Sequence, residues 1–307
     1  MPFLLRNVKI YSRVLQVGIV RERKEKMIQR NVESSFEVKM YFEFYKTIKD
    51  KRRWLVVLLI ILVPMIELAL TWYTDCADYF HCPEYYPNGL EPRDLYAPAM
   101  GSFLSGANIG HIGQMLIIWL MPIYIFLFYT DSYMQEKSYH YSTIYFSKTE
   151  RKTVYRNKAL MSFLFMAGIN FVSLLLNHIL ALIFFHNGTN IEGVNPDWVT
   201  EPFLHWCLTN LEGGYLIFLL SYCAMVGLYA VFCMNLAFIF HDRKIVYAIG
   251  IIMWIVMIMN PYSITYAMQP FIEYGLKYFL IAWCIVLGLV LISYCLVKLT
   301  WEKKDEI

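Results

Sequence analysis

The chain has 307 residues, 58% of them hydrophobic and only 17% charged, against roughly 45–50% and about 25% in soluble domains. Aromatic side chains alone make up 17%, which suits a protein with long membrane–water boundaries. That balance excludes fibrous, disordered and small disulfide-scaffold classes. The net charge of +3, with its basic residues gathered between apolar runs, excludes a nucleic-acid binder and indicates an integral membrane protein.

Residues 1–53 hold 14 Lys and Arg against 6 Asp and Glu, too short and too charged for a core of their own. Residues 1–30 show a weak helical spacing (Leu4, Val8, Tyr11, Leu15, Ile19), and Met27 and Met40 are alternative starts. No secretory signal is expected, because the first apolar run begins at residue 54 and is too long for an h-region. Residues 36–50 predict an amphipathic helix. Val38, Tyr41, Phe42, Tyr45 and Ile48 fall at helical spacing, with Lys39, Glu43, Lys46, Thr47 and Asp50 opposite. Leading into Lys51-Arg52-Arg53, such a helix lies flat at the headgroups. A plain anchor and an elbow that also touches a cytoplasmic partner both stay open.

Six stretches approach the roughly 20 residues that about 30 Å of hydrocarbon requires. They are Trp54–Tyr73, Gly113–Tyr129, Ala159–Phe185, Tyr215–Phe240, Ile245–Met259 and Tyr278–Leu299. The fifth is the shortest and stops at Asn260-Pro261, so a broken or re-entrant continuation is expected. Segments 1–53, 130–158, 241–244 and 298–307 carry 25 of the 27 basic residues, whereas 74–112, 186–214 and 260–277 carry 2 basic and 10 acidic ones. The positive-inside bias then places both termini and the 130–158 loop in the cytoplasm of a cell-membrane protein. The expected organisation is a basic region (1–53), a six-helix membrane domain (54–299) and a cytoplasmic tail (300–307), with no internal repeat.

Between the first two spans, residues 74–112 form a long aromatic connector in which Cys76 and Cys82 could pair in an oxidising compartment. Cys207 would remain single near the same face, and the cysteines within spans read as apolar fillers. Polar residues inside spans are costly and are the default candidates for a transport path: Glu67, Asn170, Asn177, His178 and Asn235. Interhelical hydrogen bonding is the plainer reading for the asparagines. Asn187-Gly188-Thr189 fits a glycosylation acceptor, relevant only in a eukaryotic secretory route.

The loop between spans two and three is the most informative segment. Asp131 and Glu136 lead, a tyrosine-rich middle follows, and Ser147-Lys148-Thr149-Glu150-Arg151 and Lys158 close it. With six spans and an amphipathic lead-in helix, this arrangement resembles the permease subunit of a bacterial ABC-2 type ABC exporter. The resemblance implies an all-α membrane protein with an elbow helix (Tyr41, Phe42, Tyr45, Ile48) and a cytoplasmic coupling helix between helices 2 and 3. It implies that Glu136, Tyr139, Thr143, Tyr145, Lys148 and Arg151 meet a separate ATPase subunit, which holds ATP and Mg. A second permease, identical or different, would complete the pathway. The small residue usual after the Glu is absent, and Ser147 to Arg151 is one position longer than the tightest form.

No Gly-x-x-x-x-Gly-Lys-Ser/Thr loop occurs, so this chain is not expected to cradle ATP or to be an enzyme. Neither His-Glu-x-x-His nor Gly-x-Ser-x-Gly is present, which weakens the rival reading of a polytopic membrane enzyme. His111 and His178 on neighbouring spans read as packed rather than as metal ligands. A non-pumping immunity or sensor protein that binds an antimicrobial peptide remains the second reading. The 16 methionines and the aromatic content suit an amphipathic or hydrophobic cargo, peptide or lipid-like, because such side chains repack around varied apolar groups.

Overall fold

The computed structural model describes residues 43–82, 84, 96–105, 111–139, 150–186, 188, 196–272 and 274–301, without the side chains of residues 75–80, 111, 198 and 301. The chain divides into two units, 1–49 and 50–307. In the first, residues 43–49 form a helical stretch, α1, inside which the Thr47 hydroxyl donates to the Glu43 carbonyl at 2.8 Å.

The second unit is helical throughout its described regular segments: α2 (Lys51–His81), α3 (Pro98–Gly101), α4 (His111–Trp119), α5 (Met121–Ile125), α6 (Asp131–Ser138), α7 (Arg151–Phe184), α8 (Pro202–Thr209), α9 (Leu211–Ile239), α10 (Arg243–Met259) and α11 (Leu276–Trp301). A π-helical turn, Phe126–Thr130, joins α5 to α6. Among the described residues, Lys51–Thr74, Arg151–Phe184, Leu211–Ile239 and Leu276–Thr300 are long and apolar enough to cross a membrane. A fifth span is counted when Ile112–Trp119 and Met121–Ser138, bent by 55°, are taken together. Helix α10 has 17 residues, about 26 Å at about 1.5 Å each, just short of the hydrocarbon thickness.

Two departures from the sequence expectation have local causes. The second apolar stretch is bent rather than straight because Pro122 lacks an amide proton and breaks the helix beside Leu120. The third apolar helix starts at Arg151, eight residues before its apolar run. Its first two turns are basic and stand on the end of the bundle.

Contacts between side chains and carbonyls fix the helix directions. Ser173 meets Ile60 and Asn177 meets Pro64, so α7 runs parallel to α2. Tyr155 meets Asn235, Ser162 meets Ala230 and His178 meets Glu212, so α9 runs antiparallel to α7. Trp283 meets Ser221 and Ser293 meets Asn235, which sets α11 parallel to α9. One end of the bundle therefore carries Arg53, Asp131, Arg151 and Arg243, and the opposite end carries residues 74–82, 97–105, 196–211, 260–272 and 274–275. These are called the basic and acidic ends below.

Helix α9 is the hub. Nineteen of its 29 residues are buried, and it packs against α7, α10 and α11. Gly250 of α10 lets the Phe126 ring approach its backbone, where a Cβ would collide with the ring. Phe126 also stacks on Tyr247 at 4.4 Å. The Tyr229 hydroxyl donates to the Gly250 carbonyl, so the same close approach seats a third helix.

Candidate functional site

Polar groups gather at both ends of the bundle. At the basic end, Lys158 of α7 pairs with Glu136 of α6 at 2.9 Å, with side chains only 4% and 13% exposed. The Lys158 ammonium also lies 5.2 Å from the centre of the Tyr133 ring. Lys137 donates to the carbonyls of Ala237, Phe238 and Phe240 at 3.1, 3.4 and 3.1 Å. Those carbonyls close α9, where a helix leaves acceptors without intrahelical donors and a cation is favoured. Arg243 of α10 meets Asp131 at 2.7 Å. Asn235 accepts from Tyr155 at 2.8 Å and donates to Ser293 at 2.8 Å. Helix α6, the last part of the bent pair, is thereby fastened to α7, α9 and α10.

At the acidic end the connector 74–112 does not stay on the surface. Residues Ala97 to Ser105 are buried along their whole length and pack against α7 and α9. Only one helical turn, α3, forms there, and no side chain caps it. Side chains of the bundle hold the segment instead. Asn177 accepts from the Phe103 amide at 2.9 Å and donates to the Pro64 carbonyl at 2.8 Å. Gln114 donates to the Leu104 carbonyl at 3.0 Å. The Ser102 oxygen stands 2.8 Å from His178 Nδ1, and His178 Nε2 stands 2.8 Å from the Glu212 carboxylate. The Tyr215 ring stacks on His178 at 4.4 Å.

Glu67 is 5% exposed. Its carboxylate lies against the backbone of Gly113 and Gln114, the first turn of α4, where exposed amides favour a negative group. A Cβ on Gly113 would collide with that carboxylate. Oxygen Oε2 has no hydrogen bond of good geometry.

The side-chain partners now sort the expected site residues. Of the transport-path set, Asn177 and His178 converge on the buried segment, and Glu67 borders it through Gln114. Asn170 donates to its own helix at Met166, and Asn235 belongs to the basic-end network. Of the expected coupling set, Glu136 is committed to the internal pair with Lys158, Tyr139 is 75% exposed, and Arg151 is the first residue of α7. Thr143, Tyr145 and Lys148 lie outside the described residues. So do Tyr41 and Phe42, whereas Tyr45 and Ile48 are exposed three positions apart on α1. Cys82 is a free thiol, and the side chain of Cys76 lies outside the described set. Among the described residues no cluster of metal-ligating side chains occurs.

Sequence reading missed Ser102, Gln114, Glu212, Tyr215 and Lys137. Ser102 sits in a stretch that looked like an outer connector, and nothing in its composition marks it as buried; Gln114 is the second residue of the second apolar stretch, at its very edge.

A third cluster lies at the acidic end. Tyr266 stacks on Tyr274 at 3.8 Å, and Tyr278 meets both at 5.8 and 5.1 Å. The hydrogen bond with Tyr274 pushes the Tyr266 phenol up to about 12. Glu201 binds this loop to α8: it accepts from the Leu276 amide at 3.0 Å and from the Leu204 amide at 2.7 Å. One carboxylate thus serves the first turns of two helices.

No family model matches the chain, and no solved structure matches it. The chain is similar to the uncharacterized protein YybM of Bacillus subtilis (strain 168), 28% identical over 268 residues, covering 87% of this chain and 100% of that protein.

Proposed function

We propose that the chain is the permease subunit of an ATP-driven exporter of the ABC-2 type, with six membrane spans and both termini in the cytoplasm of a cell-membrane assembly. In this reading α10 also crosses the membrane, as the fifth of six spans, and the basic end faces the cytoplasm because 25 of 27 basic residues lie in the segments on that side. Two permeases, identical or different, form the pathway for an amphipathic or hydrophobic cargo. The chain hydrolyses nothing itself; ATP and Mg belong to a separate ATPase subunit.

The observation that carries the reading is the fastening of the 130–158 segment. Its two stems, α6 and the start of α7, are joined by the Glu136–Lys158 pair, and α6 is tied to α9 by Lys137 and to α10 by Arg243. A push on α6 or on the start of α7 would reach four helices at once. A loop serving topology alone needs no such bracing.

Purifying the tagged chain in mild detergent and identifying its companions by mass spectrometry tests this reading. A stoichiometric ATPase with a phosphate loop is expected, and Arg151→Glu or Tyr145→Ala should lower its recovery while membrane insertion stays normal. A chain that purifies alone, under conditions that keep a reference transporter complex intact, overturns the reading in favour of a self-sufficient receptor or enzyme.

A further inference from the structure

Resting on the permease reading, we propose that the buried segment 97–105 is the outer gate of the translocation path and that His178 is its latch. Irregular backbone at bundle depth survives only where protein covers it or where it lines a cavity. The segment has one helical turn and no capping side chain, so little of its order is its own. Six of its nine residues are Ala, Pro, Gly or Ser, and only Met100, Phe103 and Leu104 offer large apolar anchors. Withdrawing it therefore exposes little apolar area for its length.

What it would uncover is polar. Asn177, His178, Gln114 and Tyr215 all meet or border it, a lining suited to a path and costly to leave facing lipid. The Ser102 hydroxyl donates to the Pro98 carbonyl at 2.8 Å, so the contact between His178 and Ser102 also steadies the turn that precedes it. The second ring nitrogen of His178 is held by Glu212. The burial of that pair is unequal: the side chain of His178 is 6% exposed and that of Glu212 is 46% exposed. A latch with one end in solvent opens without stranding a buried carboxylate, whereas the Glu136–Lys158 pair at the other end of the bundle has no such exit.

The test is accessibility in the full-length chain with Cys76, Cys82 and Cys207 replaced by alanine. A Ser105→Cys reporter, at a position fully buried in the intact fold, is exposed to a membrane-impermeant maleimide applied from outside. Little labelling is expected with the latch intact. Adding Glu212→Gln, or Ser102→Ala as a second route to the same loss, should raise the labelling rate roughly tenfold or more, as loss of one hydrogen bond to a charged group implies. Insertion yield and monodispersity in detergent confirm that each variant has folded.

Fast labelling with the latch intact, or equal rates with and without it, overturns the gate. Labelling that stays absent in both variants overturns it too and makes the segment a permanent plug. The readout needs no ATPase, so the two readings fail separately. Latch-dependent labelling in a chain without a companion ATPase removes the pump and keeps the latch; a companion ATPase with latch-independent labelling does the reverse.

Discussion

A proline inside a helix leaves the carbonyl four residues earlier without its amide donor. Pro64 does this to Ile60 and Pro122 does it to Ile118. Each orphan is taken by a side chain from another helix: Ser173 donates to Ile60 at 2.7 Å, and the Trp254 indole donates to Ile118 at 2.8 Å. In a low-dielectric bundle such substitutions keep an interrupted helix viable. Ser173→Ala should therefore destabilise the protein by about 1 kcal/mol. In a Pro64→Ala background, where the amide returns, the same change should cost much less. Detergent unfolding of the four-member cycle measures the coupling, and a value near zero would show that the hydroxyl does not serve the orphan carbonyl.

Cys207 allows a second test at this scale. Burial and then the neighbouring Glu201 carboxylate push its thiol from the ordinary 9.0 up to about 11. The folded state thus prefers the neutral thiol. Its contribution to stability is complete below about pH 9 and is lost as pH rises through about 11. Alkylation of Cys207, followed by peptide mapping, should stay slow from pH 7 to beyond 9.0 in the folded chain and become fast once the chain is unfolded. Equal rates in both states would remove the burial argument.

At the scale of elements, helix ends decide more than helix interiors. The last turn of α9 is closed by Lys137, a residue 100 positions or more away from the carbonyls it serves. Replacing it with Met leaves those acceptors unpaired, at a cost of about 1–3 kcal/mol. The Glu136–Lys158 pair should respond more sharply. Glu136→Ala strands a buried ammonium, at about 3–5 kcal/mol, while the double variant Glu136→Leu with Lys158→Met should recover most of that loss. A neutral Glu136→Ala in thermal unfolding would mean that Lys158 reaches water on its own.

The elements also show how much of the architecture was legible. All six apolar stretches are helices, and α10 ends at Met259, immediately before the Asn260-Pro261 break read from the sequence. Runs of apolar residues set these helices because an unpaired backbone group in hydrocarbon is too costly to leave open. The 55° bend between α4 and α5 was less legible, although Pro122 marked the place. A proline predicts an orphan carbonyl but does not say which distant donor will claim it.

At the scale of the whole molecule, the asymmetry of charge makes a prediction about orientation. Reporter residues at Tyr139 and Tyr262, both exposed, should label from opposite sides of the membrane, with Tyr139 reached only from the cytoplasm. Labelling of both from one side would break the six-span arrangement, and Tyr139 reached only from outside would reverse it. The candidate site divides in the same manner. Glu67, Asn177 and His178 stood out because polar residues are rare inside apolar runs. Ser102, Gln114 and Glu212 did not, since they lie in or beside loops where polarity carries no signal.

The amino-acid sequence by itself determined that the chain is a helical membrane protein, which stretches are apolar, and where charge accumulates. Those properties follow from transfer of side chains out of water, a local quantity that composition reports directly. Only the tertiary structure decided that residues 97–105 turn into the bundle, that Glu136 is spent on Lys158, and that His178 bridges Ser102 and Glu212. These contacts join positions 22 to 76 residues apart. Their partners are chosen by which polar groups the packing of helices leaves unsatisfied, and that is known only once the helices have met.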